Sequence, residues 1–111
     1  MGCPRTDWPG IVALYDRLPT LRPTPVVALN RAVAVGQAHG PEAGLRAVDA
    51  IQGLDRLEGY LFLSATRADL LRRAGRRAEA IPHYQRARTL ARSETERRFF
   101  DRRLADLSED A

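Results

Sequence analysis

The stretch that decides the fold is Ala68-Asp-Leu-Leu-Arg-Arg-Ala-Gly75-Arg-Arg-Ala-Glu-Ala-Ile-Pro-His-Tyr-Gln-Arg-Ala87. It consists of two helix-forming runs on either side of Gly75, each with apolar residues at spacings of three and four. Glycine readily adopts the left-handed conformation that ends many helices. The stretch therefore predicts an antiparallel helical hairpin that turns at Gly75.

A similar pattern occurs earlier in the chain, at an offset of 36 residues. The paired positions hold residues of the same kind: Val27 and Leu63, Arg31 and Arg67, Ala32 and Ala68, Val35 and Leu71, Leu45 and Ile81, Leu54 and Leu90. Helical units that cannot bury an apolar face alone stack on one another, so the pattern favours an array of hairpins. The alternative is chance similarity between two hairpins of a chain rich in alanine and leucine.

Prolines, glycines and capping residues divide the rest of the chain into about six helices, and no alternating β-branched run indicates a strand. The predicted helices span about 7–21, 25–38, 41–52, 60–74, 76–91 and 94–107, with a loop at 53–59. Pro82 predicts that the fifth helix either begins near Ala78 or bends at the proline. Ser93 and Glu96 have the spacing of a capping box. The predicted fold class is all-α.

Length and composition limit the class of protein. A chain of 111 residues with 44% hydrophobic and 29% charged residues is expected to form one globular domain. Its uncharged runs are shorter than the ~20 apolar residues of a membrane span, and the N-terminus lacks the apolar core of a secretion signal. We therefore expect a cytoplasmic protein. Cys3, His39 and His83 are too sparse for a metal centre, and we expect no cofactor.

The positive charge is carboxy-terminal. All 18 basic residues are arginines; five of them lie in residues 1–55 against five acidic residues, and 13 lie in residues 56–111 against nine. This bias permits an acidic partner or a nucleic acid. Within the last predicted helix, however, acidic residues alternate with the arginines, which favours a solvated face of ion pairs.

The second hairpin resembles the tetratricopeptide repeat. The resemblance rests on these positions: Ala68, Gly75, Glu79 to Ile81, Tyr84 to Ala87, and Leu90. It implies antiparallel hairpins stacked as a right-handed array. The implied units are a half unit at 7–23, units at 25–54 and 60–92, and a capping helix at 93–107. Residues 1–6 are expected to be disordered or left over from cloning, and residues 108–111 to be frayed.

A second resemblance covers nearly the whole chain from Asp7 onward. It rests on Asp7 to Tyr15, Pro25 to Val35, Gly40 to Leu45, Arg67 to Arg73 and Glu96 to Phe99. These segments are similar to the carboxy-terminal extension of one group of bacterial extracytoplasmic-function sigma factors. In those proteins a tetratricopeptide-like tail follows two sigma domains. Near Tyr60 to Ser64 relatives often carry histidine and this chain does not, so no role of those histidines transfers.

Several residues are candidates for partner binding. The repeat resemblance implies a groove lined by the first helices of the two units, on or near which lie Val26, Leu29, Asn30, Val33, Phe62, Ala65, Asp69, Arg72 and Arg73. Arg31 could contact a ligand, or it could form an internal ion pair with Asp69 or Asp49. Trp8 could anchor a partner, but packing of the first helix onto the bundle is the preferred interpretation.

The functional expectation follows from the second resemblance. It implies a non-catalytic regulatory domain that contacts sigma domains or core RNA polymerase, as a monomer or weak dimer. The sequence offers no nucleophile motif and no phosphate-binding loop, so we expect no enzyme. One alternative is a nucleic-acid-binding module that uses the carboxy-terminal arginines. Another is a structural role, in which the tail covers an apolar surface of the sigma domains.

Overall fold

The computed structural model describes residues 7–16 and 24–109, and within them all regular secondary structure is helical. The helices are α1 (Trp8–Asp16), α2 (Pro25–His39), α3 (Pro41–Asp49), α4 (Leu61–Arg73), α5 (Arg77–Leu90) and α6 (Glu94–Glu109). A short 3-10 helix, Leu54–Leu57, lies between α3 and α4. The all-α prediction with six helices is therefore confirmed for the described residues.

The predicted starts of α2 and α6 have side-chain caps. The Thr24 hydroxyl accepts a hydrogen bond from the backbone N–H of Val27 at 3.2 Å, at the start of α2. At the start of α6 the N–H of Glu96 donates to the Ser93 hydroxyl at 3.1 Å, and the Glu96 carboxylate accepts from the N–H groups of Ser93 and Arg92. This reciprocal arrangement is the predicted capping box.

Gly75 ends α4 as the sequence predicts. Its φ is +79°, in the left-handed region. Its N–H donates to the carbonyl of Arg72 at 3.0 Å, and the N–H of Arg76 donates to that of Leu71 at 2.9 Å. These two bonds form a Schellman motif, which satisfies carbonyls that have no partner within the helix.

Some helix boundaries differ from the predicted ones or refine them. Helix α3 ends at Asp49, and part of the predicted loop is helical with Leu57 buried. Helix α5 begins at Arg77 and contains Pro82. Helix α6 continues to Glu109, two residues past its predicted end. The predicted end of the first helix, near residue 21, lies outside the described residues, as do residues 1–6.

Packing follows chain order. Each helix contacts the next one along the chain, and α2 also contacts α4, the first helix of the following hairpin. Positions 36 residues apart have similar burial: Ala32 and Ala68 are both fully buried, and Val35 and Leu71 are 7% and 6% exposed. The two hairpins thus bury equivalent faces.

The two helices of the first hairpin approach each other closely at Gly44. A Cβ atom built on Gly44 would lie 2.9 Å from Cα of Gly36, on the facing helix, and 2.9 Å from Cδ2 of Leu70. The corresponding position of the second hairpin is Ala80, which is fully buried. The lack of a side chain at Gly44 lets the α2 and α3 backbones approach this closely.

Candidate functional site

An open groove of about 230 Å³ lies between α2 and α4 and is bounded further by α5 and α6. Its lining is mostly apolar. The lining residues are Val33, Gln37, Phe62, Ala65, Thr66, Asp69, Leu70, Arg73, Tyr84 and Phe99. On α2 and α4 these residues recur at spacings of three and four, so each helix presents one face to the groove. We refer to this surface as the α2–α4 groove.

A hydrogen-bonded group of three side chains lies at the inner wall of the groove. Arg72 Nη2 donates to Asp69 Oδ1 at 2.6 Å, and Arg72 Nε donates to the hydroxyl of Tyr84 at 3.2 Å. The bond to Asp69 raises the pKa of Arg72. Burial raises the pKa of Tyr84, so its hydroxyl stays protonated at neutral pH. The group joins α4 to α5 and neutralises the one carboxylate that lines the groove.

Aromatic side chains are exposed at the outer edge of the groove. Phe62 is 38% exposed and Phe99 is 49% exposed. The Phe62 ring stacks on Tyr60 with the centroids 6.2 Å apart. The guanidinium of Arg103 lies 5.2 Å from the centroid of the Phe99 ring. Exposed aromatic surface of this kind is typical of a contact site.

Arg73 and Arg103 give this surface an excess of positive charge. Arg73 is exposed, and its Nη2 lies 3.5 Å from the carbonyl oxygen of Gly36. Arg103 Nε is buried and has no hydrogen-bond partner among residues 7–16 and 24–109. Among the described residues no carboxylate lies within ion-pair distance of either guanidinium. The charge of Asp69 is already matched by Arg72, so both arginines remain uncompensated within the part of the chain that the structure describes.

The structure places five of the predicted groove residues on the lining: Val33, Phe62, Ala65, Asp69 and Arg73. Arg72 lies behind them, bonded to two lining side chains. The prediction for Leu29 was wrong, because this side chain is fully buried in the core beside Ala32 and Val48. Val26 and Asn30 are exposed on α2 but do not line the groove.

The two acidic residues considered as partners of Arg31 lie beside other arginines. Asp69 accepts from Arg72, and Asp49 Oδ1 lies 3.9 Å from Arg67 Nη2. Arg31 itself is half-buried on α2.

Trp8 packs against the bundle and is not part of the groove lining. It is half-buried against a cluster formed by Val12, Ala34 and Val35. The carboxylate of Asp7 caps its helix by accepting from the N–H of Gly10 at 3.0 Å. This arrangement agrees with the preferred interpretation, packing of the first helix onto α2.

Sequence reasoning missed five lining residues: Gln37, Thr66, Leu70, Tyr84 and Phe99. Gln37 and Thr66 continue the helical spacings of Val33 and Phe62, so that periodicity could have found them. Tyr84 and Phe99 belong to α5 and α6, and their place in the groove depends on how those helices pack on α4.

Some of the carboxy-terminal arginines form ion pairs. Glu94 lies 3.3 Å from Arg97 and 3.6 Å from Arg98, and Arg88 pairs with Asp101. The predicted face of ion pairs on the last helix is therefore seen at Arg97 and Arg98, which share Glu94.

Within residues 7–16 and 24–109, no three His, Cys, Asp or Glu side chains are grouped as metal ligands would be. His83 is half-buried on α5, and burial lowers its pKa, as does the nearby charge of Arg67. His39 is exposed at the end of α2. No helix in the described part of the chain has the length and apolar character of a membrane span.

Comparison with known proteins gives one relative of note. An uncharacterized protein of Rhizobium meliloti (strain 1021) is 41% identical over 104 residues, which is 94% of this chain. The chain spans 24% of the length of that protein. No family model and no solved structure matches the chain.

Proposed function

We propose that this chain is a non-catalytic protein-interaction domain, the tetratricopeptide-like tail of an extracytoplasmic-function sigma factor. In this role it modulates transcription initiation by contacting the sigma domains or core RNA polymerase in the cytoplasm. The observation that carries the proposal is the α2–α4 groove, whose apolar lining and exposed aromatic edge suit a polypeptide partner better than a reaction.

The equivalent burial of the two hairpins supports a tetratricopeptide-like array. Residues 36 apart occupy the same faces, and the first helices of the two hairpins contact each other directly. In such arrays the first helices line the concave surface, which here corresponds to α2 and α4.

The length of the Rhizobium meliloti relative supports the assignment as one part of a larger protein. This chain covers 24% of it, so about three quarters of the relative lies outside the matched segment. That remainder has room for two sigma domains.

The test is co-purification of the 111-residue chain with the two sigma domains of an extracytoplasmic-function sigma factor of this group, and separately with core polymerase. We expect a complex with at least one of them that survives size-exclusion chromatography, and a free chain that elutes as a monomer or weak dimer. A folded chain that binds neither would overturn the proposal.

The purified 111-residue chain also tests the alternative function, nucleic-acid binding. Duplex DNA bound through several phosphate contacts would lose affinity steeply as salt rises. The ion pairs of Arg97, Arg98 and Arg88 argue against such a surface. Strong, salt-sensitive DNA binding without binding to sigma domains or polymerase would favour that alternative.

A further inference from the structure

We propose that the α2–α4 groove binds an acidic amphipathic polypeptide segment. The segment places an apolar side chain between Phe62 and Phe99 and a carboxylate against Arg73. This inference rests on the proposed function, because it gives the chemistry of the partner at the same surface.

Two exposed phenylalanines form the apolar part of the proposed binding surface. Phe62 and Phe99 approach the groove from α4 and α6, and both line it. The groove volume of about 230 Å³ is below the range of about 300–1,000 Å³ typical of small-molecule sites. It suits one large side chain of a longer partner, with Tyr60 extending the apolar surface beyond the groove.

The arginines beside the groove outnumber the carboxylates that could neutralise them among the described residues. Arg72 and Asp69 neutralise each other through a 2.6 Å contact. Arg73 lies on the lining and Arg103 packs over Phe99, and neither has a carboxylate partner among the described residues. An anionic group beside Phe99 and Arg73 would balance this charge.

The arrangement favours a polypeptide over a nucleic acid. The two uncompensated arginines stand beside an apolar groove, whereas phosphate recognition needs a row of cations along the backbone path. An amphipathic helix offers apolar residues on one face and carboxylates beside them, at the spacing of helix-in-groove recognition.

The test uses two fluorescein-labelled helical peptides of about 14 residues, which is about four turns. Both carry leucine and phenylalanine on one face. One carries aspartate and glutamate on the other face, and its counterpart carries lysine at those positions. Fluorescence anisotropy with the 111-residue chain gives the Kd of each.

We expect the acidic peptide to bind at least about tenfold more tightly than the lysine peptide. Arg73→Glu should remove or reverse that preference, and Phe62→Ser should weaken binding of the acidic peptide about tenfold. The matched control is Arg46→Glu, which makes the same charge change at an exposed position on α3 outside the groove. It should leave the Kd within about twofold.

Equal binding of the two peptides would overturn the inference, as would equal weakening by Arg46→Glu and Arg73→Glu. Circular dichroism establishes that each variant is folded, and Arg73→Ala replaces Arg73→Glu if the charge reversal unfolds the chain.

The inference and the proposed function can be overturned separately. Binding of sigma domains or polymerase that is insensitive to Arg73 and Phe62 overturns the inference and the use of the groove as the contact surface, but leaves the transcriptional role standing. Selective binding of the acidic peptide without either partner overturns only the transcriptional role.

Discussion

Arg72 and Tyr84 connect the two helices of the second hairpin at the inner wall of the groove, where Arg72 Nε lies 3.2 Å from the phenolic oxygen. Tyr84 is 1% exposed, and its ring also meets Phe100 of α6 at a centroid distance of 6.4 Å. One side chain therefore packs α5 against both neighbouring helices while its hydroxyl holds the arginine that neutralises Asp69.

The hydroxyl of Tyr84 should contribute measurably to stability. Tyr84→Phe keeps the buried ring but removes the acceptor for Arg72, and we expect the free energy of unfolding to fall by about 1 kcal/mol in urea denaturation. The control is Tyr60→Phe, at a tyrosine that is 41% exposed, which should change it by less than about 0.5 kcal/mol. Equal effects of the two substitutions would contradict the role of the Arg72 bond.

The contact between Gly36 and Gly44 should make Gly44 intolerant of a methyl group. In Gly44→Ala the new Cβ meets the backbone of Gly36, and the expected loss of about 1–3 kcal/mol from overpacking outweighs the gain in helix propensity of about 1 kcal/mol. Thermal or urea unfolding measures the net change.

Gly36→Ala is the matched comparison for that substitution. Its Cβ would lie 2.7 Å from Cδ2 of Leu70 and 3.7 Å from Cα of Gly44. A side-chain methyl can rotate away more easily than a backbone atom can move, so Gly36→Ala should cost less. The opposite order would show that the two helices do not approach as described.

Gly75 should resist replacement because of its backbone conformation. Gly75→Ala keeps the chain length but forces a residue with a Cβ to φ +79°, which costs roughly 1–2 kcal/mol. Gly75→Asn should cost less, since asparagine tolerates this conformation better. The comparison is made by urea denaturation, and equal stability of wild type and Gly75→Ala would contradict the Schellman turn.

The capping box should make stability depend on pH. The hydrogen bond from the Arg92 N–H, together with those from Ser93, holds the pKa of Glu96 below its ordinary value of 4.5. A carboxylate with a lowered pKa in the folded state stabilises the fold above its unfolded-state pKa, and this contribution is lost as pH falls through the folded-state value.

We therefore expect wild type to be more stable than Glu96→Gln at pH 7, and the difference to shrink as pH falls below about 4.3. Urea unfolding of the wild type and of Glu96→Gln across this pH range measures the difference in the free energy of unfolding. A difference that stays constant with pH would contradict a charged cap at Glu96.

The local features of the fold could be predicted from sequence because they depend on nearby residues. Thr24, Gly75 and the pair of Ser93 and Glu96 each act within one helical turn, and the structure confirms all of them. Pro82 lies near the start of α5 and has no N–H to donate to the carbonyl of Ala78. Both residues are exposed, so water can reach that carbonyl.

The groove could be predicted only in part, because its shape depends on distant contacts. Helical periodicity gives each helix one apolar face, and the repeat resemblance implies that Val33 and Asp69 lie on or near the groove, which both of them line. The same periodicity could not decide whether Leu29 faces the groove or the core, and the packing of α3 against α2 decides for the core. Whether Phe99 lines the groove depends on how α6 packs against α5. No pattern of neighbouring residues in the sequence determines that packing.

The central claim is that the α2–α4 groove contacts the sigma domains or core polymerase. It is tested most directly by the Kd of the 111-residue chain for these partners, measured for wild type, Arg73→Glu and Arg46→Glu. The account predicts binding by the wild type, a loss of at least about tenfold in Arg73→Glu, and little change in Arg46→Glu. No binding by the folded wild type, or equal losses in the two variants, would contradict it.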